Sequence, residues 1–125
     1  MHVQVLTHVT ERLTDLHACG YVHRDIKPGN VMWLPRKNRW TLIDFGCAAR
    51  AGRKARKGFS YSYAAPEVIR AVRAGEPLFD VTEGLDVWSV GILAIEMFTG
   101  QPVYSILQPK TTVNFPQNPS IIFIT

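Results

Sequence analysis

The sequence has little of what marks secreted or membrane proteins. Only two of its 125 residues are cysteine, which excludes a disulfide framework and favours a reducing compartment. Its longest apolar stretch, from Val87 to Phe98, includes Glu96 and is shorter than the roughly 20 residues that cross a bilayer. The N-terminus lacks the basic start and apolar core of a signal peptide. We therefore expect an intracellular, cytoplasmic protein with no membrane partner.

Two further absences narrow the function. No histidine or cysteine residues have the spacing of a metal site, and no internal repeat is visible. The net charge is only +4, much of it between Arg50 and Lys57, and we expect no nucleic-acid partner. Apolar residues make up 46% of the chain and charged residues 19%, values that are ordinary for folded proteins. A globular chain is therefore expected rather than a disordered one.

Helical periodicity is clearest near the N-terminus. Apolar residues recur at Val3, Leu6, Leu13 and Leu16, with polar residues between them. This spacing predicts one buried face of an amphipathic helix, which Gly20 ends.

Two later segments also have helical signals. Residues 64–69 predict a short helix with Pro66 in its first turn. Thr82 or Glu83 can begin another helix, which runs to Gly100. Apolar residues lie nearly all round this last helix, which predicts a central, buried element.

The remaining segments predict strands and loops. Residues 31–34 and 40–43 are short β-rich runs on either side of the polar turn 35–39, which is typical of a hairpin. Residues 47–58 are basic, contain no large apolar side chain and are expected to be flexible. Residues 73–82 are expected to form a loop. The predicted fold is α+β and mainly α.

One polar stretch, between the first helix and the hairpin, reads His23-Arg24-Asp25-Ile26-Lys27-Pro28-Gly29-Asn30. Arginine, aspartate and lysine are almost never buried without partners, so this stretch is not core. It suits a site at which several side chains converge.

Four motifs in order resemble the C-terminal lobe of a eukaryotic-type protein kinase. This chain has a counterpart of the family's catalytic loop in His23-Arg24-Asp25, with Asn30 five residues after the aspartate. It has a counterpart of the family's metal-binding triplet in Asp44-Phe45-Gly46. The close of the activation segment is similar to Ala65-Pro66-Glu67, and the start of the central helix to residues 86–91. The resemblance implies a partial kinase domain over residues 1–105, with an irregular tail over 106–125.

The resemblance also implies roles for individual residues. Asp25 would orient a substrate hydroxyl and accept its proton, and Lys27 would offset charge on the transferred phosphoryl group. Asn30 and Asp44 would hold Mg²⁺ through oxygen atoms, and with Lys27 and Met32 they would bind ATP. The lysine two residues after Asp25 resembles the serine/threonine branch, so the expected partners are ATP and a protein substrate with serine or threonine.

Supporting roles follow from the same resemblance. His23 is expected to pack on Phe45 rather than act in catalysis, and Asp86 is expected to hold the loop backbone. Ser60 stands where the family usually has a threonine that lines the substrate site, and we expect it to be structural. Arg24 usually meets a phosphorylated residue, but residues 47–59 contain no serine, threonine or tyrosine. Activation by phosphorylation at the usual position is therefore not expected.

Other residues keep two interpretations. Met32, Leu93 and Met97 are consistent with the floor beneath an adenine ring and equally with plain core packing. Glu96 is consistent with a contact to a basic substrate residue and with a solvent-facing structural pair. Cys47 is expected to be inert rather than a redox switch. The basic cluster of residues 50–57 is interpreted as a solvated loop in preference to a surface for acidic partners.

The functional hypothesis is a protein serine/threonine kinase in truncated form. The 125 residues contain no glycine-rich loop, no strand lysine and no helix glutamate to pair with it, so the isolated chain is expected to be inactive. The arginine that would pair with Glu67 is not found either. The alternative is a non-catalytic kinase-like binding or regulatory fragment. A small-molecule kinase is disfavoured by Lys27-Pro28 and by Ala65-Pro66-Glu67.

Overall fold

The computed structural model of the chain describes residues 2–102. Within this range it contains three α-helices and three antiparallel sheets of two strands each, a mixed α+β arrangement. Two short 3₁₀ turns, Pro28–Asn30 and Tyr61–Tyr63, lie between them. The elements in chain order are α1 (His2–Ala18), β1 (Tyr21–Val22), β2 (Val31–Leu34), β3 (Arg39–Leu42), β4 (Ala49–Arg50), β5 (Lys54–Ala55), α2 (Pro66–Arg73), β6 (Phe79–Asp80) and α3 (Glu83–Thr99).

Helix α1 has the predicted extent, and its predicted buried face is confirmed for Leu13, which is buried, and for Leu16, which packs against the main core. Val5, Val9 and Leu13 are its buried residues, and they follow one another at intervals of four along one side. Val3 is 68% exposed, so the prediction that it belongs to the buried face is wrong. The extra apolar residues at 5 and 9 made two helical faces possible, and tertiary packing selected the one that meets the core.

The main core lies between α1, the hairpin and α3. Its fully buried members come from four parts of the chain, and Met97 packs against them. Leu93 and Met97 are therefore core residues, as one of the two interpretations held. The buried residues are Val5, Val9, Leu13, Ile26, Leu42 and Leu93.

The hairpin of β2 and β3 is confirmed, with Val31 opposite Leu42 and Trp33 opposite Trp40. The two tryptophan rings lie 5.4 Å apart. The hairpin is fixed to α1 because the Trp40 backbone N–H donates to His8 Nδ1 at 3.0 Å. Its position relative to the polar loop is therefore set by the first helix.

Helix α3 begins after Thr82 and ends at Gly100, which has a φ of 69°. A glycine in this left-handed conformation is a common helix stop, and both predicted ends are confirmed. Burial is less complete than predicted: Val87 and Phe98 are 66% and 61% exposed. Within residues 2–102 one face of α3 thus remains apolar and exposed, and the expectation of a helix buried all round is wrong.

Residues 47–58 are structured rather than flexible. Strand β4 pairs with β1, and β5 pairs with β6. Between the strands, Gly52 N–H donates to the Val81 carbonyl and Val81 N–H donates to the Arg53 carbonyl, both at 2.9 Å. The expectation of a flexible segment is therefore wrong, and so is the expectation of loop throughout residues 73–82. The expected tail, residues 106–125, lies outside the described residues.

Among residues 2–102, no helix combines the length and the apolar character that crossing a bilayer requires.

Candidate active site

The polar loop is anchored by a buried carboxylate at the start of α3. The two oxygens of Asp86 accept the backbone N–H groups of His23 at 2.8 Å and Arg24 at 2.9 Å. The Oδ2 atom also lies 2.8 Å from His17 Nε2 on α1. The predicted role of Asp86 is confirmed. The contribution of His17 was not predicted, because nothing in the local pattern of an exposed helix relates it to a residue 69 positions away.

His23 connects the loop to the end of the hairpin. It is fully buried, its Nδ1 accepts the Asp25 backbone N–H at 3.1 Å, and its Nε2 donates to the Ile43 carbonyl at 3.0 Å. Its ring meets Phe45 edge-on at 5.2 Å, as expected. One ring nitrogen thus holds the backbone of Asp25 and the other holds the end of the hairpin, which supports the structural interpretation of His23.

Asp25, Lys27 and Ser60 form one cluster. The Ser60 hydroxyl donates to Asp25 Oδ1 at 3.0 Å and accepts from Lys27 Nζ at 3.1 Å. Lys27 Nζ also lies 3.8 Å from Asp25 Oδ2. Ser60, which was expected to be only structural, is therefore a direct partner of both predicted catalytic residues. A carboxylate, a cation and a hydroxyl meet at one point.

Asn30 is buried beneath Asp25 at the end of the 3₁₀ turn. Its Nδ2 donates to the Asp25 carbonyl at 2.7 Å and to Asp25 Oδ2 at 3.2 Å. Because the amide nitrogen is committed to Asp25, the amide oxygen points elsewhere and is available as a ligand. This side chain fits the oxygen donor that a magnesium ion prefers.

Asp44 follows the hairpin in a strained backbone conformation, with a φ of 57°. Its side chain is exposed, and its Oδ1 accepts the Gly46 N–H at 3.1 Å. The preceding residue, Ile43, donates its N–H to the Asn30 carbonyl at 2.9 Å, which ties this corner to the loop. Within residues 2–102 there is no group of three or more histidine, cysteine, aspartate or glutamate side chains that could hold a metal. The donor set instead suits a cation held by few protein oxygens and by phosphate.

Met32 is not part of the cluster around Asp25. It lies on β2 opposite Thr41, and its side chain is 44% exposed. The core-packing interpretation is therefore wrong for Met32, and its contact with a nucleotide stays a prediction.

Comparisons with known proteins agree with this geometry. The profile described as "Protein kinase domain" matches residues 2–122. The chain belongs to the protein kinase domain family. Human serine/threonine-protein kinase Kist is 38% identical over 97 residues, which cover 74% of this chain and 23% of Kist. Mouse serine/threonine-protein kinase SBK1 is 44% identical over 87 residues, or 68% of this chain and 20% of that protein. Human cGMP-dependent protein kinase 2 is 36% identical over 110 residues, or 85% of this chain and 13% of that protein.

The chain therefore spans less than a quarter of the length of these relatives. Protein kinases as a family use ATP and Mg²⁺ and act on proteins.

In this kinase domain Arg24 binds backbone carbonyls. Its Nη1 donates to the Cys47 carbonyl at 3.2 Å and its Nη2 to the Arg56 carbonyl at 2.6 Å. Burial lowers the pKa of the guanidinium, while the Asp86 carboxylate opposes that shift. Arg24 thus meets the basic segment of residues 47–58 through main-chain oxygens rather than through its cationic side chains.

Glu96 is a buried residue of α3 and does not face solvent. Its side chain is 1% exposed, and Glu96 Oε2 accepts a hydrogen bond from the Tyr63 hydroxyl at 2.6 Å. Ser89 Oγ donates to the Tyr63 carbonyl at 2.6 Å, so α3 holds this turn at two points. Glu96 therefore forms a structural pair, as one interpretation held, but the pair is buried rather than solvent-facing. The contact to a basic substrate residue stays a prediction.

Cys47 is partly buried, and its surroundings disfavour the charged form of its thiol. Burial is the largest effect that raises its pKa, and the Asp25 carboxylate raises it further. At pH 8 we expect iodoacetamide to modify the exposed Cys19 faster than Cys47, measured by mass spectrometry of proteolytic peptides. Faster labelling of Cys47 would contradict its assignment as inert.

The raised pKa of Cys47 also has a consequence for stability. The folded state holds the thiol proton more tightly than the unfolded chain does. The contribution of this thiol to stability is therefore present below its unfolded pKa and is lost as the pH rises through the folded value.

Proposed function

We propose that residues 1–105 form the C-terminal lobe of a protein serine/threonine kinase, which transfers the γ-phosphate of ATP to a protein hydroxyl. The observation that supports this most directly is the Ser60 hydroxyl, which donates to Asp25 Oδ1 at 3.0 Å while Lys27 lies beside it. Asp25 is thus placed to accept a hydrogen bond from a serine hydroxyl, and a substrate serine presents the same group.

In this proposal the loop residues divide the chemistry between them. Asp25 orients the acceptor hydroxyl and takes its proton, and Lys27 offsets negative charge on the phosphoryl oxygens. Asn30 and Asp44 would hold Mg²⁺, which neutralises phosphate charge when bound. Together with Lys27 and Met32, these two residues would contact ATP. An intracellular, cytoplasmic location stays an expectation from the cysteine content.

A second candidate function is a non-catalytic module that engages a partner. It is favoured by the exposed apolar face of α3, where Val87, Ile95 and Phe98 are 66%, 45% and 61% exposed. The two candidates differ in whether the Asp25 cluster can support phosphoryl transfer once a full nucleotide cleft is supplied.

The test is a chimera in which residues 2–102 replace the matching segment of human cGMP-dependent protein kinase 2. The chimera is expected to phosphorylate a serine peptide with Mg²⁺ and ATP, because the relative supplies the glycine-rich loop and the strand lysine. The 125-residue chain alone is expected to give no phosphorylation. The matched control is the unmodified relative assayed in parallel.

A chimera that shows native-like circular dichroism and cooperative urea unfolding but no transfer would contradict the kinase proposal and favour the binding module. Phosphorylation by the isolated chain would contradict the expectation that the loop needs the rest of the cleft.

A further inference from the structure

A dense group of positive charges lies next to the candidate active site. We call it the basic strip. Five of the 14 lysine and arginine residues of the chain fall within eight positions, with no acidic residue among them. All five are exposed. The strip consists of Arg50, Arg53, Lys54, Arg56 and Lys57.

Most of this charge is not neutralised within the part of the chain that the structure describes. Lys54 lies 3.6 Å from Asp80, but both side chains are largely exposed, so water screens this pair. The other four cations form no ion pair with residues 2–102. A surface with several unpaired charges of one sign attracts groups of the opposite sign and speeds their encounter.

The strip is held in place by its main chain. Its two short strands pair with β1 and β6, Ala51 N–H donates to the Gly20 carbonyl at 2.9 Å, and the Arg56 carbonyl accepts from Arg24 Nη2 at 2.6 Å. A ligand therefore does not have to order this backbone when it binds, which removes part of the entropic cost of binding. The backbone therefore fixes where the five side chains lie along the surface.

The strip leads directly to the Asp25 cluster. Arg56 precedes Ser60 by four residues, a length that can span at most about 14 Å. Ser60 itself contacts Asp25 and Lys27. A peptide with its acceptor hydroxyl at Asp25 thus has residues within a few positions of that hydroxyl in reach of Arg56, and residues further along in reach of Arg53.

We propose that the basic strip binds acidic side chains that flank the acceptor hydroxyl of a protein substrate. This inference rests on the proposed kinase function, whose substrate class it specifies. Carboxylates pair well with arginine because the planar guanidinium can donate two parallel hydrogen bonds.

The aromatic residues beside the strip favour a protein ligand over a nucleic acid. Single-stranded nucleic acids bind by stacking bases on exposed aromatic rings. Here Arg50 lies over the Tyr21 ring, 5.7 Å from its centroid, and Lys57 lies 4.4 Å from the centroid of Tyr61. The ring faces nearest the positive charge are therefore already covered by cations.

The first experiment measures binding without catalysis. A fluorescein-labelled peptide with a central serine flanked by glutamates is titrated with the 125-residue chain, and its anisotropy is compared with that of a glutamine-flanked peptide. At low ionic strength, where the Debye length exceeds about 10 Å, the glutamate peptide is expected to bind about tenfold more tightly. Raising the salt concentration should reduce the difference.

Two double variants with the same change in charge locate the binding surface. The double variant Arg53→Gln with Arg56→Gln is expected to weaken binding of the glutamate peptide about fivefold to tenfold. The double variant Arg36→Gln with Lys37→Gln, on the exposed turn of the hairpin, is expected to change the affinity for the same peptide by less than about twofold. Equal binding of the two peptides, or equal losses in both variants, would overturn the proposal. Tighter binding of single-stranded DNA than of the glutamate peptide would also overturn it, in favour of a nucleic-acid surface.

The kinase chimera gives a second readout that does not depend on the stability of the isolated chain. There, Arg53→Gln with Arg56→Gln should raise the KM for the glutamate peptide and leave kcat unchanged. An active chimera with no preference for acidic peptides would refute the proposed role of the basic strip and leave the kinase function standing. An inactive chimera, combined with peptide binding that the strip variant weakens, would refute the kinase function and leave the basic strip as a binding surface for acidic peptides.

Discussion

Replacement of Asp25 by asparagine is expected to lower kcat of the kinase chimera by about 10²- to 10⁴-fold. The asparagine carbonyl can still accept a hydrogen bond from a hydroxyl, but it cannot take the proton. The KM for ATP should change little, because the phosphates are held by other residues in the proposed mechanism. The measurement is steady-state phosphorylation of a serine peptide as a function of both substrates.

The matched control for this prediction is Asp15→Asn. Asp15 lies on the exposed side of α1, where it pairs with Arg12 at 3.6 Å, and its replacement removes the same charge far from the cluster. We expect its kcat to stay within about twofold of the parent chimera. If Asp25→Asn retains more than a tenth of the parent kcat while folding normally, Asp25 is not the proton acceptor.

Replacement of Asp86 by alanine is expected to lower the free energy of unfolding by about 3 to 5 kcal/mol. The carboxylate is fully buried, and its removal leaves the N–H groups of His23 and Arg24 without acceptors in a place that water does not reach. The Nε2 atom of His17 loses its hydrogen-bond partner as well. The loss is comparable to the whole stability of many small domains, so the variant should be largely unfolded at physiological temperature.

Urea denaturation followed by tryptophan fluorescence measures this effect. The control is Asp80→Ala, which removes an exposed carboxylate that pairs with Lys54 and is expected to change the unfolding free energy by less than about 1 kcal/mol. A loss at Asp86 as small as that at Asp80 would mean that the loop backbone finds other acceptors.

The helices and the hairpin were predictable because their signals are local. Gly20 and Gly100 mark helix ends at which the backbone takes a positive φ, and glycine does so without steric cost. The two β-rich runs of the hairpin have only a short polar turn between them, so their pairing needs no long-range information.

The short strands were missed for the opposite reason. Strands β1, β4, β5 and β6 have two residues each, which is too short for any alternation of polar and apolar residues. Each also pairs with a segment that is distant in the sequence. The composition of residues 47–58, rich in small and basic side chains, favoured a flexible loop, but main-chain hydrogen bonds are independent of side-chain type.

In the candidate site too, residues close in sequence were predictable and contacts between distant residues were not. Asp25, Lys27 and Asn30 are close in sequence, and the structure places all three together. Contacts that cross the fold were predictable only through the family resemblance, as for Asp86, or not at all, as for His17 and the buried Glu96. A single sequence carries no signal for which distant partner will satisfy a buried polar group.

The composition of the main core constrains how the chain folds as it is synthesised. Val5 and Leu93 belong to the same buried cluster, although 88 residues separate them in the sequence. At translation rates of about 5 to 20 residues per second, Leu93 is made roughly 4 to 18 seconds after Val5. Part of the apolar side of α1 therefore stays uncovered until α3 has been made. During that interval the nascent chain exposes the kind of apolar helix surface that chaperones bind.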